Sequence, residues 1–491
     1  MWVRNRHLTA ALATALCACA AGPDYVRPAA PSVHGYLATG DQPGRMEALG
    51  QAQQWSERQS LAADWWRVFD SEAVDSLVNE ALRANPNLQA AQATLRASQD
   101  DLRAGYGVFF PQLDLSYGAQ RERQTPARLG LAGVGGIFNL FSLGGVISYA
   151  LDVFGGSRRQ VEALRATVDY QRYNLLATDL SLTGNVINTA IAREAYAEEM
   201  AVLQELIRLQ KDQLAVTQTR VNAGTAPYST IASVRSALAS TEAALPTLEQ
   251  RRDQADHALS VLLGRSTGQA GAPGFRLSEL HLPAQLPLSL PSDLVRQRPD
   301  ILMAEAQLHA ANASVGVATA ALFPTLELSG GYGGESNAMG TLGESKNRVW
   351  SEGAAVDWMA FQGGARWYQR KSSQEYYLHN LALYQQTVLA AFAQVADTLR
   401  ALQHDAQALA AQDDAVHASK DALDLVQVNY QAGVAGYLDV LAADQQYQQS
   451  RLAYVQGVAQ RLQDTVALYI ALGGGWWNAP QGRVTANGAS P

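Results

Sequence analysis

No run of about 18 apolar residues, the minimum for a helix that crosses a bilayer, occurs in the 491-residue chain. If the protein crosses a membrane, strands must do it. Cysteine is nearly missing: Cys17 and Cys19 are the two in the sequence, so no disulfide framework staples the fold. Basic excess is missing as well. The 37 Lys and Arg face 45 Asp and Glu, a formal charge of −8, which argues against nucleic acid as a partner because phosphate-binding surfaces are basic. Proline is absent between Pro126 and Pro227 and between Pro324 and Pro480, which leaves two stretches free to run as long helices. Enzyme motifs are absent too. There is no His-Glu-x-x-His and no Gly-x-x-x-x-Gly-Lys loop, and His257, His281, His309, His379, His404 and His417 show no ligand spacing. The expectation is a protein that is not an enzyme, with no metal and no cofactor.

What is present begins at the N-terminus. Arg4 and Arg6 precede a short apolar stretch, Leu8 to Ala18, with the form of a secretory signal. It ends Leu16-Cys17-Ala18-Cys19, the pattern of a bacterial lipobox, in which Cys19 becomes the acylated first residue and 1–18 are removed. Ala20, not an aspartate, follows it, so no inner-membrane retention signal of the Asp type is visible.

The chain is written twice. Asn85-Pro86-Asn87-Leu88 is echoed by Arg298-Pro299-Asp300-Ile301, and Phe110-Pro111 by Phe323-Pro324, at one offset (299 − 86 and 324 − 111 are both 213). Ala223-Gly224 matches Ala432-Gly433, and Leu263-Gly264 matches Leu472-Gly473, both at 209. Gly155-Gly156-Ser157-Arg158 likewise echoes Gly363-Gly364-Ala365-Arg366. A period this long marks a duplicated domain, not a solenoid of small units. Each half orders as helix, strand pair, long helix, glycine turn and returning helix.

Four segments alternate apolar and polar residues with a period of two, the mark of a strand with one apolar and one polar face. They are expected over 113–122, 145–154, 326–334 and 348–358. Leu113, Leu115 and Tyr117 define one such face, and Leu326, Leu328 and Tyr332 another. The fourth is irregular, because Glu352 falls on the face of Trp350, Ala354 and Trp358. Leu129 to Gly145 and Gly333 to Asn347 read as Gly- and Asn-rich loops. Four strands cannot close a barrel, since the smallest membrane barrels need about eight, and open strand edges are not tolerated in lipid. A membrane reading therefore requires several chains, each giving four strands to one barrel.

The helical stretches carry sevens. Leu402, Leu409, Val416, Leu423 and Tyr430 recur at that spacing before the Gly433 turn, and Val455, Leu462 and Tyr469 after it. Ile207, Leu214 and Val221 lead to the Gly224 turn, and Ile231, Leu238 and Leu245 return from it. These heptads specify antiparallel coiled-coil hairpins. From Gly364 to Ala432 the helix is nearly continuous, roughly 100 Å at ~1.5 Å per residue.

The lipobox followed by Gly22-Pro23-Asp24-Tyr25-Val26-Arg27-Pro28, then Trp65-Trp66-Arg67-Val68-Phe69-Asp70, resembles the lipoprotein (NodT-type) branch of the TolC-like outer-membrane factors. So do Asn85-Pro86-Asn87-Leu88, its Arg298 echo, the Phe-Pro strand openings and the Leu468 to Trp476 close. The resemblance implies a mixed α and β membrane protein in which duplicated long-helix hairpins form a periplasmic α-barrel. Four strands per chain would contribute to a shared, trimeric outer-membrane β-barrel. It further implies a lipid-anchored homotrimer docking to a periplasmic adaptor (membrane fusion) protein and an inner-membrane transporter of the resistance-nodulation-division class. The chain then divides into a signal at 1–18 and an anchor and extended equatorial segment at 19–70. Repeats follow at 71–285 and 286–475, with a tail at 476–491 in which Trp476-Trp477 would anchor the equatorial region.

In this family the periplasmic end is closed by helix hairpins carrying apolar and acidic rings. By resemblance, Leu438 takes the apolar ring position and Asp439 an acidic one, with Asp444 as a further candidate. The sequence departs from the family pattern at Ala442, where a second aspartate is common, and at Gln445, where an arginine often stands. Asp439 has a second reading as a cap of the returning helix. The rival function is a periplasmic coiled-coil adaptor or scaffold lipoprotein, which would explain the heptads but not four membrane-type strands.

Overall fold

A computed structural model describes residues 21–32, 35–37, 46–56, 61–124, 136–269 and 271–479. Cys19 and the signal segment lie outside the described residues. The described residues form two compact units, one within 1–28, 96–170 and 304–384, the other within 29–95, 171–303 and 385–491.

The second unit is mostly helix. It contains α1 (Glu72–Ala84), the start of α2 (Pro86–Gly105), most of α3 (Gly156–Asn222), α4 (Tyr228–Leu262) and α5 (Pro291–Gln297). The first turns of α6 (Pro299–Ala320), most of α7 (Ala365–Gln431) and α8 (Tyr437–Ala471) complete it. α3 and α7 are each 67 residues long, and α4 and α8 are each 35. Their starts and ends differ by the offset read from the sequence, 365 − 156 and 471 − 262 both being 209. Gly224 and Gly433 sit at φ +73° and +75°, where a side chain would be strained, and each turns one helix into the next. The expected sevens pack inward: Leu402, Leu409 and Leu423 are buried in α7, Leu462 and Tyr469 in α8. Leu203, Leu206, Ile207, Leu238 and Leu248 make the corresponding seam between α3 and α4. Tyr430, the last of its series, is exposed and stacks obliquely with Tyr437 across the turn, 5.6 Å between ring centroids.

The paired motifs opening each repeat fasten helix ends by different chemistry at equivalent places. Asn85 is buried; its Oδ1 accepts the N–H groups of Asn87 and Leu88 at 2.9 and 3.2 Å, and its Nδ2 donates to the carbonyl of Leu262 at 2.8 Å. Arg298, also buried, donates to the carbonyl of Ala471 at 2.9 Å and to Asp300 at 2.6 Å. Orphan groups at helix termini must be satisfied somewhere, and here each repeat closes its own. A small sheet, β1 (Met46–Ala48), β2 (Gln51–Ser56) and, after two strands of the other unit, β5 (Gln285–Pro287), lies in this unit, β2 pairing antiparallel to β1 and parallel to β5. Gln53 of β2 is fully buried and accepts from Arg461 of α8, whose guanidinium is also fully buried and donates to the carbonyl of Leu402. Trp476 donates to the carbonyl of Gln297 at 2.7 Å, tying the C-terminal end of this unit to α5.

The first unit is built on a four-stranded antiparallel sheet ordered β3 (Gln112–Gln124), β4 (Gly136–Leu151), β6 (Thr325–Ser336), β7 (Arg348–Asp357). One expectation needs correction. Residues 136–144, read as loop from their glycines and asparagine, are strand, because β3 runs on to Gln124 and its backbone groups pair with Gly136 through Gly144. β6 likewise runs two residues past its expected end at 334, with Glu335 and Ser336 opposite Ser142 and Phe141. Backbone pairing along the ladder outweighs the weak strand preference of glycine.

Candidate functional site

The sheet has a chemically distinct face. Leu113, Leu115 and Tyr117 of β3 share it with Ile147 and Leu143 of β4, Leu328 and Tyr332 of β6, and Val356 and Trp350 of β7, as the pairings require. These side chains are exposed, Leu115 at 78% and Trp350 at 72%. An apolar face this large is not left to water in a stable soluble protein. Alternation with Asp114, Ser116, Ser148 and Glu327 on the other side matches strands between lipid and a wet interior. The two outer strands, β3 and β7, each keep one edge unpaired among the described residues.

A clamp that sequence reasoning missed lies beside this sheet. The segment following the lipobox is extended and fixed at each step. The N–H of Ala21 donates to the carbonyl of Phe154 at 2.8 Å, and Asp24 pairs with the buried Arg159 at 2.6 Å. Tyr25 stacks on His309 with centroids 4.2 Å apart, and Arg27 pairs with Glu305. Glu162 links two of these contacts by accepting from Arg159 at 2.7 Å and meeting His309 at 2.9 Å. Burial pushes the Glu162 carboxyl upward, but hydrogen bonds from Arg159 and His309 outweigh it and hold the group below the usual carboxylate range. A Cβ on Gly22 would lie 2.6 Å from the Cα of Gly316, so the approach requires glycine on the strap. No sequence signal could pair residues this far apart; the Gly22-Pro23-Asp24 run marked only one side of the contact.

At the α7–α8 turn the residues read as a gate fall in different surroundings. Leu438 is half-buried in the first turn of α8. Asp439 is exposed, and its Oδ2 accepts the N–H of Gly436 at 2.8 Å, so it caps α8. Capping leaves the carboxylate on the surface, and the two readings of Asp439 are compatible. Asp444 is half-buried, accepts from Gln448 at 3.1 Å, and lies within electrostatic reach of Arg208 on α3 and Lys420 on α7. The structure thus separates Asp444, among the cations of neighbouring helices, from Asp439 at the turn. Ala442 is exposed and Gln445 half-buried on the same first turns.

The profile of the outer membrane efflux protein family matches residues 77–265 and 290–474. The chain belongs to that family. The pyoverdine export outer membrane protein OpmQ of Pseudomonas aeruginosa is 31% identical over 460 residues, covering 92% of this chain and 93% of its own. The cation efflux system protein CusC of Escherichia coli is 28% identical over 469 residues, covering 95% and 97%. Among solved structures, the outer-membrane channel OprN superposes with a TM-score of 0.82 at 27% identity, covering 93% of this chain and all of that one. The efflux protein therefore has the TolC-like channel fold, long-helix hairpins joined to outer-membrane strands, and is an outer-membrane channel of an efflux pump. The periplasmic adaptor reading is set aside.

Proposed function

We propose that three copies of the efflux protein form one exit duct, each giving four strands to a twelve-stranded barrel. The duct passes small molecules from periplasm to exterior once docked to a periplasmic adaptor and an inner-membrane transporter of the resistance-nodulation-division class. The observation that carries this is the four-stranded sheet with an exposed apolar face and two open edges, because lipid tolerates no unpaired edge. Cargo is set by the pump: the related proteins are named for pyoverdine export and for cation efflux, two unlike substrates.

Cys19 is the lipid anchor in this reading. The clamp over Ala21 to Arg27 supports it, since it holds the chain two residues beyond Cys19 against the junction that follows β4. The periplasmic gate is built from Leu438 and Asp439, with Asp444 behind them among Arg208 and Lys420. Three symmetry-related Asp439 carboxylates in one constriction would favour cations. Native mass spectrometry of the detergent-purified protein tests the assembly. A trimer that also gives single-channel currents in planar bilayers is expected; a folded, membrane-inserted monomer overturns it.

A further inference from the structure

The internal duplication carries information about the edges that no single chain pairs. Leu113 pairs with Ile147 in the first hairpin, and its counterpart Leu326 pairs with Val356 in the second. The hairpins therefore superpose at 213 residues for β3 onto β6 and at 209 (356 − 147) for β4 onto β7. Between the hairpins, β4 meets β6 with Leu143 opposite Gly334. That junction is the internal copy of the junction β7 would make with β3 of another chain. Glu352 is the counterpart of Leu143 (352 − 209), and Gly334 is the counterpart of Arg121 (334 − 213).

Resting on the shared-barrel reading above, we infer that β7 of one copy pairs antiparallel with β3 of a second copy, with Glu352 opposite the neighbouring copy's Arg121. Charge agrees with this register. Glu352 lies on the apolar outer face with Trp350 and Val356, and Arg121 lies on the same face as Leu115 and Tyr117. Both are exposed, and neither makes an ion pair among the described residues. A carboxylate on the lipid side is costly unless paired. This register also sets Trp350 opposite Arg123, a ring against a cation, Ala354 opposite Ala119, and Val356 opposite Tyr117. Sliding two residues one way leaves Glu352 against Ala119; sliding the other way sets Glu352 against Arg123 but leaves Arg121 against Ala354, so charge rejects the first slip and the register of the internal junction decides against the second. The irregular glutamate of the fourth strand is thus the half of a seam ion pair that each chain carries for its neighbour.

The test is oxidative crosslinking of cysteine pairs in the full chain. Ala354→Cys with Ala119→Cys should give covalent dimers and trimers on non-reducing gels, because directly opposed residues fall within disulfide reach. Ala354→Cys with Tyr117→Cys, and Ala354→Cys with Arg121→Cys, should give fewer. The parent protein, whose two cysteines both precede residue 20, is the control. In addition, Glu352→Arg or Arg121→Glu alone should lower the temperature at which the oligomer dissociates, and the two together should restore it. Stronger crosslinking in either shifted pair, or a double variant no better than the singles, overturns the register. A trimer by native mass spectrometry that crosslinks in none of the pairs overturns it while leaving the shared barrel standing; a monomer overturns both.

Discussion

Asp405 offers a quantitative test of how the helical unit is held together. It stands on α7 facing α8, where Arg461 is fully buried between the Leu402 carbonyl and Gln53. Burial, then the neighbouring Asp464, push the Asp405 carboxyl up to about 7, with Arg461 acting weakly the other way. Burial also pushes Arg461 down, to about 10. The Oδ2 of Asp405 is buried with no hydrogen-bond partner among the described residues. Two ionised carboxylates can only accept, so a proton shared with Asp464 is what completes the site. The folded chain therefore binds a proton that the unfolded chain releases near pH 4. Stability from this group is complete below the unfolded value and is lost as pH rises from about 4 through about 7.

Asp405→Asn keeps the shape and supplies a permanent donor. Full burial would make the shift worth about 4 kcal/mol at ~1.4 kcal/mol per pH unit, but the group is only half-buried, so solvent screening leaves roughly 1–2 kcal/mol. The variant should match the parent near pH 4 and melt at a higher temperature at pH 8, followed by the helical circular dichroism of the detergent-solubilised protein. Parent and variant curves that stay parallel from pH 5 to 8 would refute the shared proton. Asp464→Asn should flatten the same profile.

Three other outcomes are expected. Mass spectrometry of the mature N-terminus should find Cys19 as its first, acylated residue; a cut elsewhere ends the anchor reading, and Cys19→Ser should slow sorting more than insertion, because strands also hold the membrane. Asp439→Ala should cost about 1 kcal/mol of local helix stability through the lost cap and, if the side chain also rings the pore, should reduce cation preference in planar bilayers while Leu438→Ala changes conductance instead; unchanged selectivity and conductance in both place the gate elsewhere. Asn85→Ala removes a buried group that satisfies three backbone partners and should cost about 1–3 kcal/mol in thermal melts, against a negligible change for the exposed Asn87→Ala.

Periodic features were legible because they repeat what the backbone demands. The sevens of α7 and α8 and the alternation of β3 and β6 are local patterns, and a single segment displays them in full. The first part of β4 was not legible, since its strand state comes from pairing with β3 and not from Gly136 or Gly144 themselves. Nor was the clamp of Asp24 and Tyr25 on Arg159 and His309, whose partners are separated by well over a hundred residues. Arg461 was equally hidden. It lies one residue before the heptad position Leu462 and would be taken for a solvated polar residue of a coiled coil, yet β2 covers it.

Duplication explains why these illegible features differ between the halves while the frame does not. Helix lengths, glycine turns and strand registers agree because they determine whether the two hairpins can stand side by side at all. Interior chemistry is free to diverge wherever a neighbour outside the repeat supplies the balance. Asn85 and Arg298 close the same pair of helix ends with different groups, the larger one reaching Gln394 as well. Arg461 is buried beneath β2, whereas its counterpart Arg252 (461 − 209) is exposed. Glu352, on the outer strand of the second hairpin, stands where the first has Leu143, and β7 pairs on one side among the described residues whereas β4 pairs on both. Where two halves of one chain agree, the fold requires the residue; where they differ, the residue answers to something the repeat alone does not contain.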